Sequence, residues 1–310
     1  MKNGIYLAYL SALTNASIVG LSFLFTKKAV TLSNPLDTLA SRFTIAFFTL
    51  TLLIVLKIIK LEFKATTFKK LLPLTLLYPT LFFVFQAYGL ETVQSSEAGI
   101  LFATIPILTT ILAAFFLKER TTIYQKISIF FSVFGVVFIF IMKGNSFSNT
   151  NWNGVLLLVA SCLSLSGYTV LTRSLVKSYK PIEITYFMLM VGFFFFNTLS
   201  ISRHLISKDL NSMLIPWSDL NFIGSILFLG ILASFVTSLL SNYILSKIPA
   251  SQMSVFSNMS TVISIIAGGL ILNEEIFYFH IIGSLFIIFG VIGTNLLREK
   301  PIRNKVKKSA

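Results

Sequence analysis

Few side chains in this 310-residue sequence have the means to make or break bonds: two histidines, one cysteine and 11 acids. His204 and His280 lie near opposite ends of the apolar spans and no acid-rich motif accompanies either, so catalytic and metal-site chemistry has almost nothing to build on. Cys162 stands alone, which excludes an intramolecular disulfide and a thiolate cluster. What the chain does carry is hydroxyls and carboxamides repeated on one face of apolar stretches. At about 100° per residue, Ser251, Ser254, Ser257, Asn258, Thr261 and Ser264 fall within an arc of roughly 140°. Ser234, Thr237, Ser238, Ser241 and Asn242 form a second stripe, Ser11, Thr14, Asn15 and Ser22 a third, and Ser161, Ser164, Tyr168 and Thr172 a fourth. Such groups exchange hydrogen bonds without changing charge. Their chemistry is recognition of an uncharged or internally balanced partner, with no catalytic residue, metal or cofactor implied.

The elements that must position these stripes follow from composition. Hydrophobic residues make up 55% of the chain and charged ones 12%, and the mean hydropathy is +0.86. Charged residues leave ten long gaps, at 3–26, 43–56, 71–90, 98–117, 127–142, 144–172, 184–202, 220–246, 248–273 and 276–297. A helix needs about 20 residues to cross the hydrocarbon, so ten spans leave no room for a soluble domain. Continuous runs of Leu, Ile and Phe do not read as the alternating strands of a barrel, and helices are the remaining way to satisfy the backbone in lipid. The first gap is longer than a signal-peptide core and is expected to stay as a helix.

The net charge of +14 raises nucleic acid as a partner, but the basic residues follow membrane topology. With the N-terminus inside, 19 Lys and Arg fall on the cytoplasmic side and five outside, Arg42 remaining within a span. That bias places both termini in the cytoplasm and makes residues 298–310 a basic tail at the lipid surface. The expected partners are the bilayer and a small molecule, without nucleic acid, for a monomer or weak homodimer in the plasma or inner membrane.

Sliding the sequence by 155 residues pairs Tyr88 with Tyr243, Ser96 with Ser251, Glu119 with Glu274, and Gly135 with Gly290. Sliding by 146 pairs Thr26 with Thr172, Lys27 with Arg173, Pro35 with Pro181, and Asp37 with Glu183. The pattern predicts two five-helix repeats, 4–142 and 153–297. Five is odd, so the second enters the membrane inverted. Inverted repeats are the architecture of secondary transporters, whose two halves open a central site alternately to each side.

The ten spans in two halves, the Ala98-to-Pro106 stretch ahead of a span-ending Glu119, and the repeated Glu274 and Gly290 resemble the EamA-type transporters of the drug/metabolite transporter superfamily, over residues 4 to 297. The resemblance implies a non-enzymatic exporter of amino acids or other small metabolites, with a central cavity lined by spans 1, 3, 4, 6, 8 and 9. All four polar stripes lie on those spans. A lone serine in a span is satisfied by its own helix, whereas a coherent face suits a wetted path. The 155-residue slide transfers the stripes of spans 8 and 9 onto Pro79, Phe82, Phe83 and Gln86, and onto Gly99, Phe102, Ala103, Pro106 and Thr109. A hydroxyl and amide wall facing an aromatic wall is the expected site. Its substrate-binding residues are Asn15, Ser22, Gln86, Phe102, Ser161, Tyr168, Thr237, Ser238, Ser241, Ser257, Asn258 and Thr261.

Helix 1 also carries Ala8, Ala12, Ala16 and Gly20, a ridge for close packing, and Pro106 is placed to bend span 4. Asp37, Glu97 and Glu183 are read as acids at helix starts, and Arg42 as snorkelling to the outer interface. A site without fixed charge suits neutral or zwitterionic solutes such as amino acids, moved by alternating access. A nucleotide-sugar or multidrug carrier and a non-transporting membrane sensor are the alternatives.

Overall fold

The computed structural model describes residues 2–61, 65–90, 92–93, 101–142, 152–209, 215–272 and 275–296, and all regular structure among them is helical. The helices are α1 (Lys2–Leu32), α2 (Pro35–Val55), α3 (Ala65–Thr75, Leu76–Leu81 and Phe82–Leu90), α4 (Ile105–Leu117) and α5 (Ile123–Met142). The second half has α6 (Trp152–Leu175), α7 (Pro181–Ser207), α8 (Leu220–Leu227, Phe228–Val236 and Thr237–Lys247), α9 (Ala250–Phe256 and Met259–Leu272) and α10 (Tyr278–Leu296). Among the described residues, seven helices are long and apolar enough to cross a membrane, and Lys70–Gln86, Leu101–Leu117 and Tyr278–Thr294 are shorter apolar helices. Glu97, Gly99, Lys143, Glu274 and residues 298–310 lie outside the described residues.

Helix starts are written locally. Asn34 accepts from the Asp37 backbone N–H at 3.0 Å ahead of Pro35, and the Lys180 N–H donates to Glu183 Oε2 at 2.9 Å ahead of Pro181, both satisfying amides that a helix N-terminus leaves unpaired. Thr122 and Gln125 exchange bonds of 3.0 and 3.1 Å at the start of α5. Gln125 Nε2 then donates to the Thr294 carbonyl at 3.1 Å, joining α5 to α10. These two helices cross so closely that a Cβ on Gly135 would stand 2.5 Å from the Gly283 carbonyl oxygen. The ridge of Ala8, Ala12 and Ala16 on α1 is buried, with Ala8 and Ala12 against Ile244 and Ile248. At its end, a Cβ on Gly20 would meet the Ser260 carbonyl of α9 at 2.7 Å. Between α2 and α7 the contact is aromatic, Phe43 stacking on Phe196 at 5.2 Å and Phe47 on Phe193 at 5.1 Å. Phe115, Phe116, Ile206 and Leu270 are exposed, the surface lipid would cover.

Four helices are interrupted. Leu76–Leu81 of α3 and Phe228–Val236 of α8 are π-helical, and the 155-residue slide carries the first stretch inside the second. In α3 the backbone leaves helical geometry at Tyr78 (φ −144°, ψ 125°). The apolar helix Leu101–Leu117, of which α4 is the longer part, is broken at Thr104, where tight bonds run from Thr104 N to Leu101 O (3.0 Å) and from Ile107 N to Thr104 O (2.9 Å). Pro106 has no N–H to offer the Phe102 carbonyl four residues back. Helix α9 is broken at Ser257 and Asn258, again with bonds spanning three residues, Asn258 N to Val255 O and Thr261 N to Asn258 O, both 3.2 Å. The bend expected from Pro106 is thus a break, recurring in α9 where the slide places Asn258 opposite Ala103.

Candidate polar site

Helix α8 supplies the polar spine. Its π-helical stretch lets Ser234 Oγ reach five residues back to the Leu229 carbonyl at 2.9 Å, while Thr237 Oγ1 donates to Ala233 O at 2.9 Å. From α1, Asn15 Nδ2 donates to the Thr237 carbonyl at 2.9 Å and to Ser241 Oγ at 3.1 Å. At the next residue of α8, about 100° around the helix, Tyr168 of α6 donates to Asn242 Oδ1 at 3.0 Å, and Asn242 Nδ2 donates to Thr185 Oγ1 of α7 at 2.8 Å. Asn15, Tyr168, Thr237 and Ser241 are therefore drawn onto one helix, with Ser238 buried beside them.

The aromatic side is built on α3 and α4. Tyr78 packs on Tyr168 at 4.9 Å, on Phe82 at 5.3 Å and on Phe83 at 5.5 Å, and Phe82 lies 6.2 Å from Phe102. Ser161 Oγ of α6 donates to the Phe82 carbonyl at 2.9 Å, so this buried hydroxyl fixes the wall. Gln86 is half-buried on α3.

Arg42 joins the two sides, and here the expectation of snorkelling is corrected. Its Nε donates to Ser234 Oγ at 2.5 Å and its Nη2 to the Ala233 carbonyl at 2.6 Å, and its guanidinium carbon stands 5.5 Å from the centre of the Phe83 ring. The side chain turns inward because α8 offers two oxygens at its midpoint and Phe83 an electron-rich face, which no helical wheel of α2 reveals. The absence of fixed charge is corrected with it.

Other residues are satisfied elsewhere. Ser22 Oγ donates to Val19 O of its own helix at 2.7 Å. Asn258 Nδ2 donates to Ser132 Oγ of α5 at 3.0 Å, tying the break in α9 to that helix. Ser257 is exposed and donates to Ser254 O at 2.5 Å, and Thr261 is half-buried. Sequence reasoning missed Arg42, Tyr78 and Thr185. Arg42 had a signal, as a cation well inside an apolar helix; Thr185 lay on a helix with no polar stripe.

Each end of the bundle has its own fastening. At the end where α2 begins and α7 finishes, Asp37 is buried, accepting from Ser200 Oγ at 2.5 Å and from Asn34 Nδ2, with His204 Nε2 at 2.8 Å. His204 Nδ1 faces the Asp209 carbonyl at 2.8 Å. His204 therefore has an acid partner brought from α2, a pairing across 167 residues that no local motif could announce. Glu183, by contrast, remains a helix-start acid. At the opposite end Glu119 accepts from Ala250 N and Ser251 Oγ, both at 3.3 Å, and lies 3.6 Å from Arg173 Nε. No group of three or more metal-binding side chains occurs among the described residues. An apolar groove of about 570 Å³ between α1, α9 and α10, lined by Tyr6, Tyr9, Leu13, Phe256, Met259 and Ile292, takes in none of the residues on α8.

Comparison with known proteins agrees with this architecture. The model of the EamA-like transporter family matches twice, at residues 6–141 and 152–296. The chain is 44% identical to the uncharacterized transporter YcxC of Bacillus subtilis over 96% of this chain and 95% of that one. It is 31% identical to an uncharacterized transporter of Archaeoglobus fulgidus over 88% and 92% of the two chains. One solved structure superposes with a TM-score of 0.78 over 94% of this chain and 97% of its own, at 18% identity, and so shares the fold. The apolar helices and these relatives make the protein a multi-pass membrane transporter of a small molecule, and not an enzyme. The chain belongs to the EamA-like transporter family.

Proposed function

We propose that the protein moves small neutral or zwitterionic metabolites, such as amino acids, out of the cell across the plasma membrane by alternating access. Ten spans with both termini in the cytoplasm, arranged as inverted repeats 4–142 and 153–297, would carry the motion. The observation that carries this reading is the polar spine of α8, lined by Asn15, Tyr168, Thr237, Ser238 and Ser241, beside helices interrupted at matching places in the two halves. Interrupted helices at a repeat interface are where transporters place their substrate, because unwound backbone is tolerated in a membrane only within protein or beside a water-filled path. Gln86, Phe102 and Ser161 supply the facing wall in this reading. Ser22, Ser257, Asn258 and Thr261 stay in the binding set as positions that alternate exposure moves into or out of the path.

Small molecules in the medium of overproducing cells, compared at equal membrane abundance, test the proposal. Wild-type protein is expected to enrich a polar metabolite, and Gln86→Leu to abolish the enrichment without lowering the melting temperature. Asn258→Leu is expected to lower stability by about 1 kcal/mol through loss of its bond to Ser132. An unchanged medium with wild-type protein rejects export, and full activity of Gln86→Leu rejects the facing wall.

A further inference from the structure

We propose that the guanidinium of Arg42 receives the carboxylate of the transported solute, so that the substrates of this protein are carboxylate-bearing molecules. The inference rests on the transport reading, and in it carboxylate-bearing solutes, zwitterions and organic anions alike, take the place of neutral ones. Arg42 lies seven residues into α2, roughly 10 Å below the end of that helix at 1.5 Å per residue, and reaches the midpoint of α8. A cation at that depth is costly unless it is paired. Its protein partners are a serine hydroxyl, a backbone carbonyl and an aromatic ring, with the Tyr78 phenol near enough to interact electrostatically, all neutral. Asp37, the acid on its own helix, is taken by His204, Ser200 and Asn34. Among the described residues no carboxylate pairs with Arg42.

A guanidinium has five N–H donors in a fork that matches a carboxylate. The two bonds to α8 use one on Nε and one on Nη2, and three are left. Ser234 and Ala233 thus hold the fork by one edge and leave its Nη1 edge for a ligand. One to two turns along α8 from Ser234, Ser238 and Ser241, with Asn15 bonded to Ser241, offer polar atoms to the rest of a solute, and Phe83, Phe82 and Tyr78 offer apolar surface. A bare inorganic anion would leave that surface unused, so the geometry favours a carboxylate on an organic body.

The test compares wild type, Arg42→Gln and Arg42→Lys at matched membrane abundance. It reads the solutes released by cells and, on purified protein, the rise in melting temperature with leucine, 4-methylpentanoate (no amino group) and isoamylamine (no carboxylate). Wild type is expected to release carboxylate-bearing solutes and to be stabilised by the two acids and not by the amine. Arg42→Gln, which can still bond to Ser234, is expected to lose about tenfold or more in release and in response to the acids, as a charge-assisted bond would. Arg42→Lys is expected to keep part of both. Ser234→Ala keeps the cation and is expected to lose less than Arg42→Gln. Release of solutes without an acidic group, equal stabilisation by the amine, or acid transport within twofold of wild type in Arg42→Gln overturns the proposal while leaving transport standing. A wild type that releases nothing in excess and responds to none of the three probes overturns it together with the transport reading.

Discussion

At the scale of single residues, the buried polar groups divide into those that hold helices together and those left with capacity for a partner. Asn242, wholly buried, accepts from Tyr168 and donates to Thr185, joining α6, α7 and α8. Tyr168→Phe leaves its oxygen without that donor and is expected to cost about 1 kcal/mol in detergent unfolding, within the range of hydrogen bonds between membrane helices. Asp37 and His204 form a tighter dependency. His204→Ala strands a buried carboxylate and is expected to cost about 3 kcal/mol; adding Asp37→Asn should recover most of it, and a double variant no more stable than His204→Ala would show that the pair is not what stabilises this end. The sequence revealed the α8 stripe because hydroxyls at helical spacing point one way whatever surrounds them. It could not reveal Arg42 turning inward or Asn258 turning to α5, because both follow from acceptors on distant helices, Ser234 and Ala233 for one and Ser132 for the other.

At the scale of elements, the apolar runs announced the helices, but charge-free gaps underestimated several of them. α2 begins at Pro35 and α7 at Pro181, because Asp37, Arg42 and Glu183 are accommodated inside helical turns by capping and pairing. The breaks were partly legible. Pro106 advertised one in α4, whereas α9 has no proline there, and its serines loosen the helix by bonding three residues back. Pro79 marks the π-helical stretch of α3, since it lacks an N–H and disfavours helical geometry at Tyr78 before it, whereas the stretch in α8 left no sequence mark. If the α4 break is a joint, healing it has a cost in function and none in folding. Pro106→Ala restores an N–H for the Phe102 carbonyl, so the melting temperature is expected to hold or rise while transport slows several-fold. Unchanged transport in a protein of unchanged abundance would assign the break to packing alone.

At the scale of the whole molecule, the fastenings at the two ends differ in chemistry. A buried Asp–His pair and a serine close one end, and Glu119, gathering α4, α6 and the start of α9, closes the other. The proposed topology puts the Glu119 end in the cytoplasm, and reporters fused to either terminus are expected to be active only there. A reporter exported at one terminus and retained at the other would require an odd number of spans and dismantle the five-plus-five arrangement. The slide of 146 residues sets Arg42 opposite Met188, which is buried beside Asn242. Two identical half-length chains assembled as a dimer would have to carry that arginine twice or not at all. Joining the halves in one polypeptide removes the constraint: one copy can keep the cation while the other drifts to a thioether, and a pathway with a single charged landing place becomes open to selection.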